Sequence, residues 1–126
     1  MENLNIIATK SSPEINFNAQ SNILSIVGES YLENTTQFYA DIFKWIEEYF
    51  SIIEGQNVVV NIELIYFNSS SSKVLMDLFD MLEEYSKNCK SIEVNWIYDA
   101  ENDASLEYGE EFAEDIESLT FNLVEK

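Results

Sequence analysis

A β-branched run meets a helical stripe with only a few polar residues between them, and that junction constrains the fold more than any other feature of the chain. From Asn57 to Asn88 the sequence reads NVVVNIELIYFNSSSSKVLMDLFDMLEEYSKN. Val58 to Phe67 has the composition of a strand. Val74, Leu75, Leu78, Met81, Leu82 and Tyr85 then recur three and four residues apart, the apolar face of an amphipathic helix. Asn68 and the serines Ser69 to Ser72 read as a short polar turn between the two. Strand, turn and helix in this order belong to an α/β sheet, where sites gather at the carboxyl ends of strands.

Serines placed there have two natural uses. A helix start leaves backbone N–H groups without intrahelical partners and carries the positive end of the helix dipole. A serine hydroxyl can cap those groups, or it can carry a phosphate that they help to hold. Four consecutive serines exceed what a single cap needs. Asn68 suits the turn itself, through its side-chain amide.

The remaining chain supplies the partners of this unit. Leu4 to Ala8 reads as a short edge strand, and Lys10-Ser11-Ser12-Pro13 as a break. Glu14 to Asn18 and Ile23 to Val27 alternate around a turn-like Asn18–Asn22, which predicts an antiparallel hairpin. Gly28 to Glu33 reads as a loop. Asn34 with Gln37 three residues on is a variant capping box, and it opens a helix with the stripe Phe38, Ile42, Trp45, Ile46, Tyr49 and Ile53, closed by Gly55. Ser91 to Tyr98 is a further strand and Asp99 to Asp103 an acidic turn. Ala104, Tyr108, Phe112 and Ile116 mark a third helical face, and Leu119 to Val124 a closing strand. The order β-β-β-α-β-α-β-α-β predicts an α/β fold with a mixed sheet, a starting hairpin and about three helices packed on it, as one domain over residues 1–126.

Charge then removes whole classes of function. The chain has 24 acidic and 6 basic residues, a formal net charge of −18, and neither arginine nor histidine. Nucleic acid and anionic membrane surfaces would be repelled. Without histidine there is no Ser-His-Asp or Cys-His mechanism and no imidazole metal ligand. Carboxylate chemistry, hard-cation binding and basic protein partners stay open. Cys89 is the single cysteine, which rules out an internal disulfide; it reads as a small, partly buried apolar residue, with no histidine to activate it as a nucleophile. The first residues lack a basic n-region and a long apolar run, and no segment approaches the roughly 20 apolar residues of a membrane span, so a cytoplasmic location is expected. No cofactor and no metal is expected. The carboxylates Glu29, Glu33, Asp99, Glu101 and Asp103 are the one set that a divalent cation could use, although they lack the spacing of a calcium loop.

Three stretches carry a resemblance to a known family. Gly28-Glu29-Ser30-Tyr31-Leu32-Glu33-Asn34 is similar to G-x-S-Y-P-E-N. Ile65-Tyr66-Phe67-Asn68-Ser69-Ser70-Ser71-Ser72-Lys73 is similar to L-Y-L-N-T-S-S-x-K, the most specific of the three. Trp96-Ile97-Tyr98-Asp99 is followed by an acidic helix containing Gly109-Glu110-Glu111-Phe112. The chain resembles the SiaC family of bacterial regulatory phosphoproteins, a group similar to the STAS fold of anti-sigma-factor antagonists. The resemblance implies that a dedicated kinase phosphorylates the residue after the motif's asparagine, that a PP2C-type phosphatase removes the phosphate, and that the unphosphorylated form binds and activates a diguanylate cyclase. The acceptor is then Ser69, with serine in place of the family's threonine; Ser70 and Ser71 are alternatives, and Ser72 is a further hydroxyl in the same run. Leu32 stands where the family usually has proline.

The resemblance also implies a partner-binding set of Glu33, Asn34, Tyr66, Asn68, Ser69, Ser70, Ser71 and Lys73. Glu33 and Asn34 begin the preceding helix and are expected at the same edge of the sheet, and Lys73 is the nearby cation. The expected function is a non-enzymatic partner-switching module. The competing readings are a constitutive adaptor whose serines only cap a helix, and a metal-dependent hydrolase using the acidic loops.

Overall fold

In a computed structural model the chain is described over residues 1–88 and 90–126; Cys89, and with it the expectation made for that residue, lies outside the described residues. The strands are β1 (Leu4–Ile6), β2 (Glu14–Asn18), β3 (Ile23–Ser30), β4 (Asn57–Phe67), β5 (Ser91–Tyr98) and β6 (Thr120–Glu125). The helices are α1 (Thr35–Ile52), α2 (Ser69–Lys87) and α3 (Asp103–Glu114). The strands form one mixed sheet in the order β1-β2-β3-β4-β5-β6. The first three strands pair antiparallel, and β3 to β6 pair parallel.

That monotonic order decides where the helices lie. Each parallel connection adds its strand on the same side of the last, and right-handed crossovers then put all three helices on one face. Alternation along β4 meets them there: Val58, Val60, Ile62 and Leu64 are buried, together with Trp96 of β5 and Ile42, Ile46, Leu75, Leu78 and Leu82 of the helices. On the other face Asn61, Asn95 and Asn122 form a ladder across three strands. Asn95 donates to Asn61 at 2.9 Å, and Asn122 to Asn95 at 3.0 Å. Among the described residues no helix covers this row.

Two irregularities set the carboxyl end of the sheet. Gly28 has φ 131°, a backbone conformation that side chains disfavour. Next to it the β3–β4 register shifts, so that Gly28 pairs with Leu64 but Glu29 with Tyr66. The extra residue, Ile65, reverses the alternation. Phe67 therefore points into the core and Tyr66 is 54% exposed. At the other edge Gly109 lets α3 lie close to the sheet: a Cβ there would sit 2.6 Å from Trp96 Cδ1 and 2.7 Å from Leu123 Cδ2.

Several expectations need correction. The serines are not a turn. Asn68 alone is the connection, and Ser69 to Ser72 are the first turn of α2. Residues Gly28 to Ser30 are not loop but the end of β3. The buried stripe of α1 includes Tyr39 and Phe50, while Phe38 is only partly buried. The third helix ends at Glu114, so Ile116 lies beyond it.

Candidate functional site

The carboxyl ends of β3 and β4 bring the starts of α1 and α2 together. Register pairs Ser30 with Phe67, and the Asn68 N–H donates to the Ser30 carbonyl at 3.1 Å. Asn68 caps α2: its Oδ1 accepts from the Ser71 N–H at 3.0 Å, and its carbonyl accepts from the Ser72 N–H at 2.9 Å. The N–H groups of Ser69 and Ser70 make no hydrogen bond among the described residues, as expected of a first helical turn.

The serine hydroxyls have different fates. Ser71 is 1% exposed, and its Oγ lies 2.8 Å from Ser30 Oγ, which in turn lies 2.8 Å from Tyr39 Oη. Ser70 Oγ donates to Asn68 Oδ1 at 3.1 Å and lies 2.8 Å from Thr35 Oγ1, on the first residue of α1. Ser72 is half-buried against α3's side of α2. Ser69 is exposed, and its hydroxyl makes no hydrogen bond among the described residues. Two short hydroxyl chains thus lock Ser70 and Ser71 in place and leave Ser69 outside. Burial pushes the Tyr39 phenol above its ordinary pKa, with the Ser30 bond acting in the opposite sense. Tyr39 is neutral at physiological pH and serves as a hydrogen-bonding post.

The rest of the expected partner-binding set is only partly gathered here. Asn34 accepts from the Gln37 N–H at 3.1 Å and caps α1, as its capping box predicts, and Glu33 is exposed just before it. Tyr66 lies beside the junction with its ring against Tyr31, 5.7 Å between centroids. Lys73, in the first turns of α2, is exposed and pairs with Asp77 at 3.6 Å. The junction also holds the buried Ser30, Thr35 and Tyr39, which the sequence reading did not single out. The stripe pointed at Phe38 in place of Tyr39, and no local pattern marks a serine at a strand end as a partner for one forty-one residues later.

Among the described residues no group of three or more carboxylate or thiol side chains is placed to hold an ion. Asp99 accepts instead from the Glu101 N–H at 2.9 Å, closing its own turn. Glu63 pairs with Lys126 at 2.8 Å on the uncovered face. Among the described residues no helix is long and apolar enough to cross a membrane.

A mixed sheet with its three helices on one face and a hydroxyl-lined strand-to-helix junction makes this a small α/β domain. The chain belongs to the SiaC family of regulatory phosphoproteins, whose family model matches residues 6–126. It is 35% identical over 116 residues to an uncharacterized protein of Pseudomonas aeruginosa (strain UCBPP-PA14), covering 91% of this chain and 90% of that one. The solved structure of SiaC of Pseudomonas aeruginosa superposes with a TM-score of 0.91 at 31% identity, over 100% of both chains. A crystal structure of the diguanylate cyclase SiaD in complex with its activator SiaC, from the same organism, matches with a TM-score of 0.91 at 32% identity, over 98% of this chain and 99% of that one.

Proposed function

We propose that the protein is a non-enzymatic, cytoplasmic partner switch whose state is written on Ser69. A kinase phosphorylates Ser69, a PP2C-type phosphatase restores the hydroxyl, and the unphosphorylated form binds and activates a diguanylate cyclase, as SiaC activates SiaD. One observation carries the choice of residue: of the first three serines of α2, only Ser69 presents a hydroxyl that is both exposed and unengaged. A kinase must reach its acceptor. Ser71 is buried, and Ser70 is held between Thr35 and Asn68.

A phosphate on Ser69 would meet the unpaired N–H groups of Ser69 and Ser70 and the positive end of α2, so the fold survives modification. The partner's surface, shaped around a hydroxyl, would have to desolvate a group of about −1.5 to −2 charges, which opposes docking. The experiment is phosphopeptide mapping of protein from its native host, together with cyclase binding by wild type, Ser69→Ala and Ser69→Asp. We expect phosphate on Ser69, binding by wild type and Ser69→Ala, and loss with Ser69→Asp, with all three folded by circular dichroism. Phosphate found only on Ser70, Ser71 or Ser72 refutes the residue. Tighter cyclase binding by the phosphorylated protein than by Ser69→Ala refutes release.

A further inference from the structure

We propose that the crevice between the carboxyl ends of β4 and β5 binds a linear alkyl diamine. The strand order is monotonic, so the sheet has no topological switch point of the kind that usually opens a site in an α/β fold. Here the strands part instead. β4 and β5 pair from Asn57 and Ser91 as far as Ile62 and Trp96, and there their pairing stops. Each keeps its outer neighbour: β4 stays on β3 to Phe67, and β5 stays on β6 to Tyr98. Between residues 63–65 of one strand and 97–99 of the other lies a cavity of about 420 Å³, lined as well by Glu101 and Asn102, which lead into α3.

Two buried residues form the inner wall, Leu64 at 2% and Ser105 at 4% exposed. Ser105 is the anomaly. Its N–H donates to Asn102 Oδ1 at 3.1 Å and its carbonyl accepts from Trp96 Nε1 at 2.9 Å, so its backbone is fixed on both sides. Its hydroxyl alone has no partner among the described residues. Buried hydroxyls are normally hydrogen-bonded, and one left over at a cavity wall is a ready contact for whatever enters. Nearby, the Ile65 carbonyl accepts from Asn102 Nδ2 at 3.1 Å and keeps a second lone pair.

The mouth is acidic. Glu63, Asp99 and Glu101 line it, with Lys126 as its cation. Lys126 is already engaged, its Nζ 2.8 Å from Glu63 Oε2. That bond, and more weakly the charge of Asp99, holds the ammonium above the ordinary lysine pKa. The lysine thus shows the chemistry that the mouth favours, a primary ammonium on an apolar stem. Three carboxylates against one ammonium leave two negative charges, so an anion is repelled and a dication matches. Among the described residues no three carboxylates converge where one metal ion could sit, so the charge has to be met at more than one place.

Size and hydrogen bonding narrow the dication further. The volume falls within the roughly 300–1,000 Å³ of small-molecule sites. An ammonium carries three donors, and the crevice offers carboxylates, the Ser105 hydroxyl and the Ile65 carbonyl as acceptors. Ile65, Ile97 and Tyr98 supply apolar wall for a methylene chain, which lets two ammonium groups reach separate carboxylates. Ser69 takes no part in this site, which stands independently of the switch.

The probe is 1,4-diaminobutane, titrated into the full chain at fixed ionic strength and followed by amide NMR, with butylamine and Mg²⁺ as comparators. We expect shifts confined to residues 63–65, 97–105 and 126, and binding about tenfold or more tighter than that of butylamine. Asp99→Asn/Glu101→Gln should weaken binding by about tenfold or more. Asparagine keeps the Oδ1 that accepts from the Glu101 N–H, so the turn survives the change. Ser105→Ala should weaken binding by about threefold or more through its lost hydrogen bond. Asp80→Asn/Glu111→Gln removes the same charge from exposed positions on α2 and α3 and should bind as wild type does. Equal weakening in the two double variants, or shifts spread over the acidic surface, would reduce the effect to bulk charge and overturn the site. An equal response to Mg²⁺ at the same residues would overturn it as a counter-ion effect. Wild-type affinity in Ser105→Ala would leave the diamine on the outer carboxylates and refute the cavity, as would no response up to millimolar diamine.

Discussion

The starts of α2 and α3 are built alike and finished differently. Each is capped by an asparagine, Asn68 or Asn102, whose Oδ1 accepts from the N–H of the serine three residues on, Ser71 at 3.0 Å or Ser105 at 3.1 Å. Both serines are buried. At the first helical position α3 carries Asp103 and α2 carries Ser69. The negative charge that a helix start favours is permanent in one and absent in the other. The third position diverges too. Ser71 is tied to Ser30 and through it to Tyr39, whereas Ser105 Oγ is buried with no partner among the described residues. The same local grammar thus yields a fixed start at α3. At α2 it yields a start whose interior is locked and whose outer hydroxyl, on Ser69, is exposed and without a partner among the described residues.

The largest effect is expected two turns into each helix. Seven residues past the capping asparagine α2 has the buried Leu75, and α3 has Gly109 against Trp96 and Leu123. The Gly109→Ala methyl would meet the side of a fully buried indole ring, which has no room to swing. We expect Gly109→Ala to destabilise the protein by about 1–3 kcal/mol through overpacking. A Gly→Ala change in an open helix would instead stabilise by roughly 0.5–1 kcal/mol. Urea denaturation reads the sign, and a stabilised Gly109→Ala would mean that α3 is not seated on Trp96.

Next in size is the contrast between the two buried serines. Ser71→Ala removes a member of the Ser71–Ser30–Tyr39 chain and leaves buried hydroxyls short of a partner; a loss of about 1–2 kcal/mol is expected. Ser105→Ala removes a hydroxyl that already lacks one, so its effect should lie between zero and a gain of about 1 kcal/mol. Equal losses in the two variants, measured in one denaturation series, would break the comparison and show that Ser105 Oγ is satisfied in solution.

Much of this was legible in the sequence, for physical reasons that differ by element. The β-branched run of β4 and the 3.6-residue stripe of α2 are strong local signals, and the Asn34–Gln37 cap gave the start of α1 to the residue. The serines were misread as turn because serine is as suited to a cap as to a first helical turn; only the cap bond from Ser71 N–H to Asn68 decides it. The hydroxyl chains were illegible for another reason. Ser30, Thr35 and Tyr39 meet the α2 serines through β3–β4 register, and that register depends on the irregularity at Gly28, which no periodicity announces. Lys73, next to the serines in sequence, pairs with Asp77 four residues on, the spacing at which helix side chains meet.

The smallest effect goes to the heart of the comparison. If the two starts differ chiefly in the charge at their first position, exchanging that charge should exchange their behaviour. Asp103→Ser should cost α3 about 0.3–1 kcal/mol, and Ser69→Asp should return a similar amount to α2, because the dipole acts only within the first turn. Both values should shrink as salt rises from about 0.1 M, where the Debye length is about 10 Å, to 1 M, where it is about 3 Å. The chain's net charge of −18 works against any added anion, and it makes the sign at Ser69 informative. A gain in stability would mean that the local N–H groups and dipole outweigh the repulsion of the whole molecule. The start of α2 would then accept a phosphate without strain on the fold, and any loss of cyclase binding by Ser69→Asp would belong to the interface. A clear loss of stability in Ser69→Asp would reverse that inference, since modification would then disturb the junction itself and Ser69 could no longer be compared with Asp103.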